Sequence, residues 1–102
     1  MFKKIKVNLP GFKYPVCYLR ELSINELNQT YKMNDVSDLD LMLFAIDCGL
    51  LNEAGDKVFN GEYTIDTFAN EVGSSMINTL SDAFTELNTV DDKKALKIAK
   101  NS

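Results

Sequence analysis

The sequence lacks histidine and tryptophan and contains few cysteines and prolines. Without histidine, the chain has neither the commonest general base nor the commonest ligand of transition metals. Its only two cysteines, Cys17 and Cys48, form neither a disulfide framework nor a C-x-x-C pair. We therefore expect two reduced, buried thiols. Because no catalytic, cofactor-binding or metal-binding set of residues can be assembled, the sequence predicts a protein that is not an enzyme and needs no cofactor.

Long hydrophobic segments are missing as well. The longest uninterrupted apolar run, Leu41 to Ile46, is far shorter than the roughly 20 residues that cross a bilayer as a helix. The charged start at residues 1–6 is not followed by the apolar stretch of a signal peptide. A length of 102 residues favours one domain. We therefore expect a soluble, intracellular protein that does not contact membranes.

The net charge of −4 conceals a segregation along the chain. Residues 1–20 carry lysine and arginine but no acid, residues 21–92 carry all 15 acidic residues, and residues 93–102 carry lysines only. An acidic body argues against binding of nucleic acid, which requires clustered basic side chains. Basic ends on an acidic body favour head-to-tail self-association, so a homo-oligomer is one interpretation. The other is a solvated surface whose charges only maintain solubility.

The first 20 residues predict a short β-hairpin, at about residues 2–20. Apolar and polar side chains alternate over residues 4–9, which is typical of a half-buried strand. Pro10-Gly11 is the preferred central pair of a type II turn. The β-prone segment Val16 to Arg20 supplies the second strand. Because an isolated hairpin is marginally stable, we expect it to pack on helices or on another chain.

Capping residues mark the starts of three predicted helices. Ser23 and Glu26 form a capping-box pattern, Ser37 precedes a helix with acids in its first turn, and Thr64 precedes the third helix. The helix after Ser37 is apolar nearly all round, which predicts a mostly buried central element. The third helix is predicted to be the longest, running to Leu87. We interpret the small residues at 73–75 in its middle as a site of close packing rather than a hinge.

A polar, glycine-centred turn lies between the second and third predicted helices, at residues 47–60. The apolar runs on both sides predict the hinge of a hairpin of two helices. A calcium loop is the alternative, with Asn52, Asp56 and Asn60 as oxygen ligands. However, an EF-hand loop that starts at Asn52 would place Ala54 at a ligand position and Lys57 at the position of the required glycine. The hinge is therefore the preferred interpretation.

Together these patterns predict a mainly α protein, a small helical domain of three to four helices with a short N-terminal β-hairpin. Residues 1–88 are predicted to form this single domain. Residues 89–102 are predicted to be a short basic tail that is weakly helical or flexible.

Three segments of the chain resemble one family in order and spacing. The first is Tyr18-Leu19-Arg20-Glu21-Leu22-Ser23-Ile24-Asn25-Glu26, the second is residues 50–59 with the sequence LLNEAGDKVF, and the third runs from Thr64 to Glu86-Leu87-Asn88. This arrangement is similar to that of the small tail assembly chaperones of long-tailed (siphovirus-type) bacteriophages, and the resemblance spans roughly residues 16–88. The lysine-rich start and the short basic tail depart from it.

The resemblance implies a function. Such chaperones bind the long, helical tape measure protein in the cytoplasm of the infected bacterium, keep it soluble, help to recruit tail tube subunits, and leave before the tail is complete. The predicted partner-contacting residues are the apolar pairs beside the turn and two residues of the last long helix, namely Leu50, Leu51, Val58, Phe59, Ile77 and Phe84. For each of them, ordinary core packing is the competing interpretation. The competing function is a small structural phage subunit, such as a head–tail connector or adaptor, or another helical interaction module.

Overall fold

A computed structural model of the protein describes residues 2–33 and 35–88. In chain order its elements are β1 (Lys4–Asn8), β2 (Val16–Arg20), α1 (Ile24–Lys32), α2 (Asp38–Gly49), β3 (Leu50–Asn52), α3 (Ile65–Glu71) and α4 (Ser75–Asn88). The strands form one antiparallel sheet in the order β1-β2-β3. The predicted basic tail at residues 89–102 lies outside the described residues.

The predicted fold class, mainly α with a two-stranded hairpin, is wrong. The described residues form a small α/β domain in which four helices accompany a three-stranded sheet. The hairpin of β1 and β2 exists, with Val7 opposite Cys17, but β2 also pairs on its other side with β3, where Leu50 lies opposite Leu19. A three-residue strand is too short to show the alternation by which strands are recognised, and Leu50-Leu51 follows a helix directly.

The predicted hinge between two helices at residues 47–60 is also wrong, because strand β3 lies within these residues. Helix α2 ends at Gly49 and the chain enters β3 at once. A tight turn follows, in which the Gly55 amide donates to the Asn52 carbonyl and Gly55 has a φ of +90°. The Val58 amide then donates to the Leu50 carbonyl, so the chain returns alongside β3. The turn therefore connects two extended segments and not two helices.

The long helix predicted after Thr64 is interrupted. Helix α3 ends at Glu71, and its C-cap residue Val72 is extended, with φ −93° and ψ 130°. Helix α4 begins at Ser75. The small residues at 73–75 therefore accompany a break between two helices, and the prediction of a continuous helix with close packing at this point is wrong. Three consecutive poor helix formers lower the cost of such a break.

Local signals at the other boundaries are confirmed. Gly11 has a φ of +90° and the Phe12 amide donates to the Leu9 carbonyl, as in the predicted type II turn. Ser23 and Glu26 form both hydrogen bonds of a capping box. Ser37 and Thr64 cap α2 and α3 through their side chains.

The core lies between one face of the sheet and the helices. Helix α4 packs against β1 and β2, and α2 packs against β2 and β3. The buried cluster contains strand residues, helix residues and three aromatic rings: Val7, Leu9, Phe12, Cys17, Leu19, Met42, Ile46, Leu50, Val58, Phe59, Phe68, Leu80 and Ala83. Helix α1 contributes no buried residue. It stands apart from the core that holds the other elements together.

The last residue of α2, Gly49, makes a close approach to β2 that predicts the effect of a substitution. A Cβ atom on Gly49 would lie 3.0 Å from both the backbone oxygen and the Cγ atom of Arg20. We expect Gly49→Ala to lower the free energy of unfolding by on the order of 1–2 kcal/mol, because the overpacking outweighs the helix preference of alanine. Chemical denaturation measures this change.

Gly73 is the matched control. A Cβ atom there would meet nothing nearer than the Ser75 Oγ at 3.9 Å. Gly73→Ala is therefore expected to leave stability unchanged or to raise it slightly. Equal effects of the two substitutions would contradict the close packing of α2 on β2.

Candidate functional site

An open groove runs between the first turns of α2 and the middle of α4. It has a volume of about 360 Å³. We call it the α2–α4 groove. Its lining residues come from these two helices only: Asp38, Leu39, Leu41, Met42, Ile77, Ser81, Phe84 and Thr85. Apolar side chains dominate this lining, and Leu39 is 49% exposed. The groove is therefore an apolar surface that the described part of the chain leaves accessible.

Helical periodicity explains why α4 lines the groove as well as the core. Leu80 and Ala83 point into the core and are buried. Ile77 and Phe84, which lie seven residues apart, share a neighbouring stripe along the helix and are half-buried. These two side chains pack against the edge of the core and also form one wall of the groove.

The other wall is the N-terminal end of α2, where its apolar face is incompletely covered. Met42, Ala45 and Ile46 are buried. Leu39 and Leu41 lie about one turn earlier on the same broad face of the helix, and they are respectively exposed and half-buried. Apolar side chains at this end of α2 therefore remain accessible to solvent or to a partner.

One acidic residue lines the groove. Asp38 lies at the start of α2, where a carboxylate suits the positive end of the helix dipole. The lining contains no lysine or arginine. The groove therefore favours a ligand that combines an apolar stripe with a basic side chain.

The six predicted contact residues fall into two groups. Ile77 and Phe84 line the α2–α4 groove. By contrast, Leu50, Val58 and Phe59 are buried in the core, and Leu51 is buried on the opposite face of the sheet, across from Tyr18. The structure brings Ile77 and Phe84 together in one groove. It buries Leu50, Val58 and Phe59 in the core and Leu51 on the opposite face of the sheet.

Sequence reasoning did not identify the wall formed by α2. Leu39 and Leu41 belong to the apolar run of α2, from which the sequence predicts a mostly buried helix without singling out these two residues. A second accessible apolar surface also escaped it. Ile24, Leu27 and Tyr31 follow the spacing of one helical stripe on α1, and Ile24 and Tyr31 are 86% and 71% exposed.

A bidentate ion pair fastens α1 to the rest of the domain. The two guanidinium nitrogens of Arg20 donate to the two carboxylate oxygens of Glu26 at 2.8 and 2.9 Å. Nη2 of Arg20 also donates to the Cys48 carbonyl at 3.0 Å, and Nη1 to the Glu21 carbonyl at 2.9 Å. One side chain thus ties α1 to the end of α2.

This ion pair predicts a pH dependence. Hydrogen bonds from Arg20, together with those at the Ser23 cap, lower the pKa of Glu26 from 4.5 to about 2. A carboxyl group whose pKa falls on folding stabilises the native state above its unfolded pKa, and this stabilisation is lost as the pH falls towards the folded value. We expect a loss of about 1–2 kcal/mol between pH 5 and pH 2, allowing for the partial exposure of both side chains.

The measurement is the free energy of unfolding from urea titrations at several pH values, compared with Glu26→Gln. The variant should be less stable than the native protein at pH 6, and the difference should shrink towards pH 2. A difference that stays constant across this range would contradict the assigned pKa. Glu62→Gln, at an exposed residue, is the matched control.

The two thiols are weakly reactive, and the side-chain oxygens of the polar turns accept hydrogen bonds from backbone amides. Burial raises the pKa of both Cys17 and Cys48 to about 11, so both remain protonated and weakly nucleophilic at neutral pH. The side-chain oxygen of Asn52 accepts from the Asp56 amide, and that of Asn60 accepts from the Glu62 and Tyr63 amides. No group of three or more candidate metal-ligating side chains occurs within residues 2–33 and 35–88.

Comparisons of the chain with models of protein families, with curated proteins and with solved structures found no match. Of the helices in the described part of the chain, none has the length and apolar character needed to span a membrane.

Proposed function

We propose that this protein is a non-enzymatic tail assembly chaperone that binds a helical segment of a phage tape measure protein in the α2–α4 groove. The observation that carries the proposal is the groove itself, an accessible apolar channel between two helices with Ile77 and Phe84 in its wall. The resemblance of residues 16–88 to this chaperone family supports it. In the proposal, the chaperone acts in the cytoplasm of the infected bacterium.

The chemistry of the groove fits this role. An amphipathic helix binds by laying its apolar face into a groove of this kind. A long tape measure protein presents apolar stripes along its helices before tail tube subunits surround it, and covering such a stripe keeps it soluble. Asp38 in the lining adds attraction to a lysine or arginine beside the stripe and disfavours an acidic side chain at that position. Recruitment of tail tube subunits is a further part of the proposal that follows from the resemblance.

Co-expression with a tape measure protein encoded by the same genome tests the proposal. The native chain should keep the tape measure protein soluble and co-purify with it. Leu39→Asp should weaken binding at least tenfold, because the contact loses an apolar side chain and gains a desolvated carboxylate. The substitution should leave the fold intact, since Leu39 is half exposed and an acid in the first turn of α2 suits the helix dipole.

Gln29→Asp is the matched control, because it adds the same charge at an exposed residue of α1 that does not line the groove. Equal solubilisation by both variants would contradict the groove as the binding site. Absence of a complex with the native chain would contradict the chaperone function. Retention of many copies in purified particles would favour a structural subunit instead.

A further inference from the structure

The last 14 residues of the chain, residues 89–102, begin beside the α2–α4 groove. Helix α4 ends at Asn88, and its residues Phe84 and Thr85, about one turn earlier, line the groove. The lining extends back along α4 to Ile77, a distance of about 12 Å along the helix axis. The C-terminal segment is therefore tethered at one end of an accessible apolar surface.

The sequence of this segment has the pattern of an amphipathic helix. The spacing of its apolar residues places them on one helical face: Ala95, Leu96, Ile98 and Ala99. The lysines at positions 93, 94, 97 and 100 occupy the rest of the circumference, so that one lysine flanks the apolar face on each side. An apolar stripe with basic side chains beside it is the ligand chemistry that the groove favours.

The length of the segment fits the groove. As a helix, residues 93–102 would extend about 15 Å, which matches the wall that α4 offers. Residues 89–92 remain for a reversal of the chain, and antiparallel helices are commonly joined by about two to five residues. Because an isolated helix of fewer than about 12 residues is marginal in water, such a helix needs a surface that covers its apolar face.

Charge selects this segment from the others of the chain. Asp38 is exposed in the lining of the groove, which contains no lysine or arginine. Residues 93–102 contain four lysines and no acid. The other basic stretch, residues 3–20, includes the paired strands β1 and β2 and is held in the sheet. The C-terminal segment is therefore the basic apolar segment that remains for the groove.

We infer that residues 93–102 bind as a short amphipathic helix in the α2–α4 groove of the same chain, and that a tape measure helix displaces them. The second part rests on the proposed function, whereas the first requires this chain alone. So short a helix binds weakly, but tethering raises its local concentration to the order of millimolar. An internal occupant covers the apolar groove until a partner arrives and competes with helices that match the groove poorly.

A spin label at the end of the full chain tests the first part. Burial raises the pKa of Cys17 and Cys48 to about 11, so a thiol-reactive nitroxide should attach selectively to the new thiol of Ser102→Cys. Methyl NMR then measures how strongly the nitroxide broadens the signal of Ile77. We expect this signal to lose most of its intensity, and to regain it when the nitroxide is reduced.

Two further substitutions in the labelled chain separate binding from mere tethering. Leu96→Asp places a charge on the apolar face of the segment, and Leu39→Asp places one in the groove. Either should restore most of the Ile77 intensity. Asn101→Asp is the matched control, because it adds the same charge outside the apolar face and should leave the broadening unchanged. Broadening that is absent, or that survives both Leu96→Asp and Leu39→Asp, overturns the inference.

A mixed sample excludes binding between copies. Labelled chain without isotopes is mixed with isotope-enriched chain that has no nitroxide, at the same total concentration. The Ile77 signal should stay sharp in this mixture. Broadening there as strong as in the singly labelled sample would place the segment in the groove of a second copy and overturn binding within one chain.

The affinity for a tape measure helix tests the second part. Leu96→Asp should bind a tape measure protein encoded by the same genome about twofold to tenfold more tightly than the native chain, because the internal competitor is removed. Asn101→Asp should bind like the native chain. Equal affinities of all three chains would overturn the competition. Since the NMR experiment contains no tape measure protein, its result distinguishes a failure of this inference from a failure of the proposed function.

Discussion

Replacement of Phe68 by alanine is expected to lower the free energy of unfolding by about 3–5 kcal/mol. Phe68 is 1% exposed and is the only buried residue of α3. Its ring packs edge to face against the rings of Phe12 and Phe59. In both pairs the ring centroids are 5.4 Å apart and the ring planes are nearly perpendicular. Truncation removes both aromatic contacts and leaves a cavity in the core, so its cost exceeds the loss of buried area alone.

Such a loss is a large part of the roughly 5–15 kcal/mol that stabilises a domain of this kind. Urea denaturation at neutral pH measures it. Tyr31→Ala is the control, because it removes an aromatic ring that is 71% exposed and should change stability by less than about 0.5 kcal/mol. A change below 1 kcal/mol for Phe68→Ala, on the scale of surface substitutions, would contradict the packing of α3 on the core.

Replacement of Arg20 by alanine is the second substitution with a large expected effect, a loss of about 3 kcal/mol. It breaks the bidentate pair with Glu26 and the hydrogen bond to the Cys48 carbonyl, and it leaves the Glu26 carboxylate without its cation. The guanidinium also lies 4.7 Å from the centroid of the Phe2 ring. The value is at the low end of the range for a buried pair, because both side chains are partly exposed.

The loss should be concentrated in α1, since this helix has no buried residue to hold it in place. Hydrogen exchange should therefore accelerate in α1 much more than in α4. Lys6→Ala, which removes an exposed lysine of β1, is the control and should alter neither helix. Equal acceleration in α1 and α4 would show that α1 unfolds only with the whole domain.

Local chemistry explains which boundaries could be predicted from the sequence. The Pro10-Gly11 turn and the caps at Ser23, Ser37 and Thr64 depend on residues within a few positions of each other. Their hydrogen bonds are short-range, and the structure contains all of them. No knowledge of the tertiary fold is needed to predict such features.

The strand β3 could not be predicted in this way. It pairs Leu50 with Leu19, which lies more than 30 residues earlier in the chain. A segment of three residues is too short to show a periodic pattern of apolar and polar side chains. Glycine is common at helix ends, so the residue type of Gly49 agrees with its place as the last residue of α2. The reason for glycine there, the proximity of Arg20, becomes visible only when β2 and α2 are placed side by side.

The candidate site was partly predictable. Of the predicted contact residues, Ile77 and Phe84 line the groove. The pairs on either side of the turn seemed equally available, but sheet pairing and core packing bury Leu50, Val58 and Phe59. The meeting of α2 with α4, which creates the groove, depends on tertiary packing that the spacing of residues in one helix does not specify.

Hydrogen exchange of the chain with and without its tape measure protein tests the central claim most directly, namely that the α2–α4 groove receives a helix. We predict slower exchange at residues 38–42 and 77–85 in the complex, with β1 and β2 unchanged. Protection confined to other segments, or a complex that leaves both walls of the groove unprotected, would contradict the claim.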